Sequence, residues 1–284
     1  MPAIGTPRAI HAALAVVVAC LLSAPPALAG DGIATKTFRM GGADQKRRLT
    51  VRCPGSKVPL GGGMRTTPGP GEGGEGAYPH SYERLGVQSG WHVTAVLYDP
   101  SGRSTTPRSV KLQVACASKR RVGHVTPPHT TKYVKPGQEK QAVARCPGRR
   151  HLIGGGFQRT DFVSRGGNYV TESRAISSKA WRVVGHAFGR FGGELTAIAY
   201  CVHSKHPLLK EVSASTGVPT GNAATVNTPP CPRKRRLAFG GFSSSPWGSL
   251  FLTDGAFNRN GSWSSSAYNN FGPSGTLTAY GYCL

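Results

Sequence analysis

The sequence predicts an all-β protein of three homologous antiparallel units, arranged as a pseudo-threefold prism or as tandem small sandwiches, with one disulfide per unit. Three observations predict it. A set of landmarks beginning with Cys-Pro recurs three times at matched offsets. The segment closing each repeat alternates with a period of two, as in "ELTAIAYC" and "TLTAYGYC". Clusters of Gly, Pro, Ser and Asn cut the chain into short strands and leave no convincing helical pattern.

The first segment stands outside this scheme. Arg8 and His11 precede the apolar run "AALAVVVACLL", and "SAPPALA" ends in the small-x-small pattern Ala27-Leu28-Ala29. Residues 1–29 are expected to be a secretory signal cleaved before Gly30. The run is too short to span a bilayer. "VVAC" ending at Cys20 loosely resembles a lipobox, so a lipid anchor through Cys20 is the alternative to a freely secreted product. Cleavage removes Arg8 and no acid, leaving 34 basic and 12 acidic side chains, and six of the seven cysteines. After the signal no long apolar stretch follows, so an integral membrane protein is not expected.

The repeat divides the remainder into units of residues 30–118, 119–204 and 205–284. Counting from the first cysteine, a Gly pair falls at offsets nine and ten in each: Gly62-Gly63, Gly155-Gly156 and Gly240-Gly241. A large apolar residue follows, as Met64, Phe157 and Phe242. Then come Trp91, Trp181 or Trp263, with Ala95, Gly185 or Ala267 four places later, and finally a second cysteine. An even number of cysteines in an exported chain reads as a disulfide framework. The repeat pairs them within units: Cys53 with Cys116, Cys146 with Cys201, Cys231 with Cys283. The Cys-Pro is expected to enter a turn, the next stretch to form a strand, and the Gly pair to allow close packing where a Cβ would not fit. These glycines are not a phosphate loop, because no Gly-Lys-Ser or Gly-Lys-Thr follows. The linkers "RVGHVTPPHTTKYVKPGQ" and "HSKHPLLKEVSASTGVPTGN" each have the capacity to donate a strand to the next unit.

With their Cys-Pro, Gly-Gly-Gly, Trp and Ala-x-Cys landmarks, the units resemble modules that recur in secreted bacterial proteins of unassigned function. Three tandem β units with Cys-Pro turns also resemble, more distantly, the vitelline membrane outer layer protein, a pseudo-threefold β-prism with shorter units. Neither resemblance implies a catalytic residue.

The side chains point to binding, with no enzyme activity, metal or cofactor expected. No pair of carboxylates recurs at matched positions, and neither His-Glu-x-x-His nor Gly-x-Ser-x-Gly occurs. His203 and His206 lie near Cys201, but an oxidised cysteine cannot ligate zinc. Asp254 and Glu172 fall in comparable regions of their units, where solvation in loops accounts for them.

Basic residues gather around each Cys-Pro. Lys46, Arg47, Arg48 and Arg52 lead into the first, Arg145, Arg149 and Arg150 flank the second, and Arg233, Lys234, Arg235 and Arg236 follow the third. Related by a threefold axis, they would form a basic rim that attracts anionic polymers or cell-envelope glycans with little discrimination of sequence. No module that reads nucleic-acid sequence is recognisable. A solvated surface is the plain alternative. A second candidate surface is aromatic: Trp247, Tyr268, Asn269 and Asn270 combine rings and amides as a lectin-like carbohydrate site does, while Tyr200, Tyr280 and Tyr282 are expected chiefly to pack between units. An extracellular structural protein with no small ligand is the third reading.

Overall fold

The computed structural model describes residues 32–41, 46–69, 76–85, 90–98, 107–160, 166–204, 209–232, 234–245, 250–270 and 272–284. The signal segment, Cys20, Arg233 and Trp247 lie outside the described residues. Each repeat contributes six strands. The first supplies β1 (Gly32–Met40), β2 (Lys46–Arg52), β3 (Val58–Thr67), β4 (Gly76–Leu85), β5 (Gly90–Tyr98) and β6 (Arg108–Ala117). After one helical turn, α1 (Lys119–Val122), the second supplies β7 (His129–Val134), β8 (Glu139–Arg145), β9 (Arg150–Arg159), β10 (Gly166–Ser177), β11 (Ala180–Gly189) and β12 (Gly193–His203). The third supplies β13 (Lys210–Val218), β14 (Ala223–Asn227), β15 (Leu237–Ser245), β16 (Leu250–Phe257), β17 (Trp263–Asn269) and β18 (Gly275–Cys283).

These strands form three six-stranded antiparallel sheets, and every sheet is shared by two repeats. Their orders are β1-β6-β3-β16-β17-β14, β2-β5-β4-β9-β12-β7 and β13-β18-β15-β10-β11-β8. A repeat therefore splits into two three-stranded halves, one in each of two sheets. The halves join where β3 meets β16, β9 meets β4 and β15 meets β10. Tandem independent sandwiches are thereby excluded, and the arrangement is a closed ring of three sheets, a prism. One disulfide links the ends of each repeat: Cys53–Cys116, Cys146–Cys201 and Cys231–Cys283.

The landmark glycines explain how the halves fit. A Cβ on Gly62 would lie 2.4 Å from Trp91, one on Gly155 2.0 Å from Trp181, and one on Gly240 2.0 Å from Trp263. Each Trp thus crosses from its own sheet and lies flat on bare backbone of the other half of its repeat. The second glycine makes the joint between repeats: Cβ atoms on Gly63, Gly156 and Gly241 would sit 1.9, 2.1 and 2.5 Å from the carbonyl oxygens of Gly255, Tyr82 and Ser173. Beside that joint, Met64, Phe157 and Phe242 pair with the same three residues and are buried.

Where the first two units have a third glycine, Gly61 and Gly154, the third unit has Phe239. It is almost fully buried, stacks on Tyr282 at 4.5 Å, and occupies the space beside Gly61, whose Cβ would come within 2.2 Å of it. One large ring fills a centre that has no room for three.

Strand alternation holds until the closing strands reach this centre. In β12 it runs buried, exposed, buried, intermediate from Gly193 and then becomes buried on both faces from Ala197 to Val202. Tyr200 belongs to that run because the neighbouring repeat covers its face, with Trp91 at 5.8 Å.

Candidate functional site

The two ends of the prism differ in chemistry. β9 starts at Arg150 beside the second Cys-Pro turn and finishes about 30 Å away at Arg159, at about 3.3 Å per residue. The disulfides and the three Cys-Pro turns occupy the first end. Each turn closes by a backbone bond, from Lys57 to Pro54 (3.4 Å), Arg150 to Pro147 (3.2 Å) and Arg235 to Pro232 (3.0 Å). A cation therefore sits four residues after each first cysteine. Gly55 and Gly148 carry the left-handed conformation in the first two turns, whereas Lys234 carries it in the third at φ 72°.

Between the first and second units this end opens into a groove with about 1590 Å³ of empty space. Arg52, Lys57, Arg84, Lys119 and His124 line it, with Tyr200 at its wall. No carboxylate is among its lining residues. The linker is held in place there: Gly123 N donates to Lys119 O at 2.7 Å, ending α1 in a left-handed residue, and Thr126 bridges Cys201. Arg84 is part-buried, its Nε has no hydrogen-bond partner, and burial pulls its pKa down from the ordinary arginine value. Its backbone N–H is satisfied by the Tyr200 hydroxyl at 2.6 Å. A second groove, between the third and first units, has about 1030 Å³ and is lined by Arg235, Arg236 and Arg259.

The sequence clusters map onto this end unequally. Arg52, Arg145, Arg149, Arg150, Lys234, Arg235 and Arg236 lie on or beside the Cys-Pro turns. Lys179, on the turn after β10, joins them by donating to Gly148 O at 2.9 Å. Lys46, Arg47 and Arg48 do not belong to the rim. Lys46 pairs with Val96, in the row of Tyr78 at the opposite end, and Arg48 Nε donates to the His92 ring on the flank of the prism. The first cluster is divided because β2 runs the length of the prism, so proximity in sequence becomes separation along its axis. Arg84 and Lys119 escaped the sequence reading; neither adjoins a Cys-Pro, and only the pairing of β4 with β9 brings Arg84 beside the second unit.

The opposite end holds an aromatic cup with about 870 Å³ of empty space. Its rings come from matched positions of all three units. Tyr78, Tyr169 and Phe251 stand four residues before the joint residues Tyr82, Ser173 and Gly255, while Tyr98, Phe188 and Asn270 stand seven after the landmark tryptophans. Ring centroids of Tyr169 and Phe251 are 4.7 Å apart and those of Tyr78 and Phe251 6.3 Å. Tyr268 lines the same cup. Arg159, fully buried with its pKa pulled down to about 9, donates to the carbonyls of Asn168 and Pro79 (3.2 Å for the latter). Of the expected carbohydrate residues, the structure brings Tyr268 and Asn270 into the cup. Asn269 instead ties loops together, donating to Val218 O at 3.1 Å and Pro273 O at 3.0 Å.

The carboxylates correct one expectation. Glu172 and Asp254 are not solvated loop residues. They sit on β10 and β16, each at a bulge in matched register, with Ser81 in the equivalent place on β4. The bulge turns these side chains toward the joint between units. Asp254 accepts from Thr66 N at 2.8 Å, and burial lifts its pKa to about 6. Glu172 is held by Arg182 at 2.6 Å and Arg174 at 3.1 Å. Tyr200 and Tyr282 pack as expected, while Tyr280 lies under the Arg174 guanidinium at 5.1 Å.

No family model fits the chain, and no curated protein is significantly similar to it. Among the described residues no helix is long and apolar enough to cross a membrane.

Proposed function

We propose that the protein is a secreted binding protein that captures anionic polymers, cell-envelope glycans included, at the end of the prism bearing its Cys-Pro turns. The observation that carries this reading is the groove of Arg52, Lys57, Arg84 and Lys119, in which four cations face one space and no lining residue offsets them. Burial makes the Arg84 charge unfavourable, and a phosphate, sulfate or carboxylate group in the groove offsets that cost by charge attraction. The other basic side chains at this end extend the field along a chain-like ligand. The net charge of +22 left after cleavage, from 34 basic and 12 acidic side chains, adds long-range steering. Three disulfides accord with an oxidising, extracellular setting, for which residues 1–29 supply the export signal.

The test is retention on immobilised heparin as a function of salt. The triple variant Arg52→Ser, Lys57→Ser, Lys119→Ser alters two exposed side chains and one half-buried one and is expected to keep the fold, checked by its melting temperature. Its affinity is expected to fall at least tenfold at 0.1 M salt, with a shallower dependence on salt concentration, because fewer counterions are released. Replacing Lys46, Arg47 and Arg48 instead is expected to weaken retention less. Equal losses from the two triples would show that net charge, and not the groove, is what heparin meets.

A further inference from the structure

The aromatic cup is a second site, at the other end of the molecule and of different chemistry from the cationic groove. We infer that it binds a neutral sugar ring. The cup is built from six equivalent positions of three units, five of which carry large rings, with Asn270 the sixth. The cup is an open concavity lined mainly by rings, with a few polar groups among them. Tyr98, Phe188 and Phe251 remain half-exposed around it, a concentration of apolar ring surface that folding has left open to solvent.

Polar groups decide between a sugar and a purely apolar ligand. Among the described residues, the hydroxyls of Tyr169 and Tyr268 and the amide of Asn270 form no hydrogen bond within the protein. An acyl chain or apolar ring seated there would strip water from these groups and return nothing. A pyranose offers C–H faces to the rings and hydroxyls to the phenols and the amide, so it satisfies both kinds of wall. Charge decides between a neutral and an anionic sugar. Arg159, a cation on the lining, is engaged with backbone carbonyls of Asn168 and Pro79, and the other lining residues carry no lysine or arginine.

The experiment is calorimetric titration with maltotriose, cellotriose and N,N′,N″-triacetylchitotriose in 0.5 M salt, where polymer binding through exposed cations is screened. At least one trisaccharide is expected to bind. Asn270→Trp, which fills the mouth without removing a packed ring, is expected to abolish that binding. Tyr169→Phe and Tyr268→Phe, which keep the rings and remove one hydroxyl each, are expected to weaken it about fivefold to tenfold. The groove variant Arg52→Ser, Lys57→Ser, Lys119→Ser is expected to bind the trisaccharide unchanged, which separates this inference from the polyanion reading. Absence of binding by all three sugars overturns it. So does trisaccharide binding that survives Asn270→Trp, or that is indifferent to both tyrosine substitutions if the tryptophan variant fails to fold. Uptake of the uncharged apolar dye Nile red by the wild type, blocked by Asn270→Trp and unaffected by any sugar, would assign the cup to apolar ligands instead.

Discussion

At Gly62, Gly155 and Gly240 the whole content of the residue is the absence of a Cβ. A methyl group at Gly155 would lie 2.0 Å from the Trp181 indole, and that ring is fully buried with no free direction to move. Gly155→Ala is therefore expected to destabilise the protein by about 3 kcal/mol or more, as overpacking against a rigid core does at its upper range. Gly32→Ala, where no atom lies within 4 Å, is expected to change little. Urea denaturation of the two variants makes the comparison. The third Cys-Pro turn holds the reverse case. Lys234 is a non-glycine residue at φ 72°, in a place where the first two turns use a glycine one position earlier. Lys234→Gly is expected to raise stability by about 0.5–1 kcal/mol in the same assay, because the left-handed conformation costs a lysine what it does not cost a glycine. The Gly pair and its Trp were legible in the sequence as a repeated spacing. That they touch was not, since they lie on strands of different sheets.

At the scale of the strand, the joints between units are sealed by one repeated device with one substitution. The residue before the closing cysteine in units two and three is a tyrosine whose hydroxyl receives a backbone N–H from the neighbouring unit: Arg84 N to Tyr200 at 2.6 Å, Ala175 N to Tyr282 at 2.9 Å. Unit one has Ala115 there. Gln113, two residues earlier, takes over: Phe257 N donates to its Oε1 at 2.9 Å, and its Nε2 donates to Phe257 O at 3.1 Å. The ring contact is replaced as well. Trp91 meets Tyr200 and Trp181 meets Tyr282, both at 5.8 Å, while Trp263 meets Phe257 at 5.1 Å. Tyr200→Phe, Tyr282→Phe and Gln113→Ala each orphan one buried N–H. Each is expected to cost about 1–3 kcal/mol, Gln113→Ala the most because it also leaves a cavity, as read by thermal melting. The tyrosines alternate correctly in the sequence, but the exchange of Tyr for a Gln two residues away carries no signal a repeat alignment detects.

For the molecule as a whole, shared sheets make the units interdependent. Residues 119–204 alone would expose the open edges of β9 and β10, which in the intact chain pair with β4 and β15. That fragment, with Cys146–Cys201 intact, is expected to unfold or to self-associate, and sedimentation of the purified fragment checks it. Acid is expected to destabilise the intact fold. Burial, helped by the Arg159 and Lys46 charges, drives the pKa of His80 down from 6.5 to about 2, and burial helped by Arg48 drives that of His92 to about 4. Above pH 6.5 both are neutral folded or unfolded. Below it the unfolded chain takes up protons that the folded chain refuses, so stability falls as pH falls. Asp254 opposes this between pH 3.8 and about 6, where the folded form holds a proton the unfolded form has released. His186 is shifted in the same sense as the two histidines, and Glu139 and Glu211 in the same sense as Asp254; the net loss on acidification rests on the displacement of His80 to about 2 and His92 to about 4, larger together than that of Asp254. Asp254→Asn is expected to raise stability at pH 7, by at most about 3 kcal/mol at 1.36 kcal/mol per pH unit, and to steepen the acid loss between pH 4 and 6. Denaturant midpoints from pH 3 to 8 give both slopes.

The three units, the pairing of their cysteines and the strand character of their landmarks are legible in the chain, because those depend on spacing and on a period of two. Only the folded arrangement makes the units one body, parts Lys46, Arg47 and Arg48 from Arg52, and brings Arg84 and Lys119 to Lys57. It also gathered Tyr78, Tyr169 and Phe251 into one cup. The joining of the units, the place of Arg84 and the cup follow from strands pairing with another unit's strands, contacts between residues some 70 to 190 positions apart that local pattern does not encode, and the division of the first cluster follows from the course of β2 along the prism.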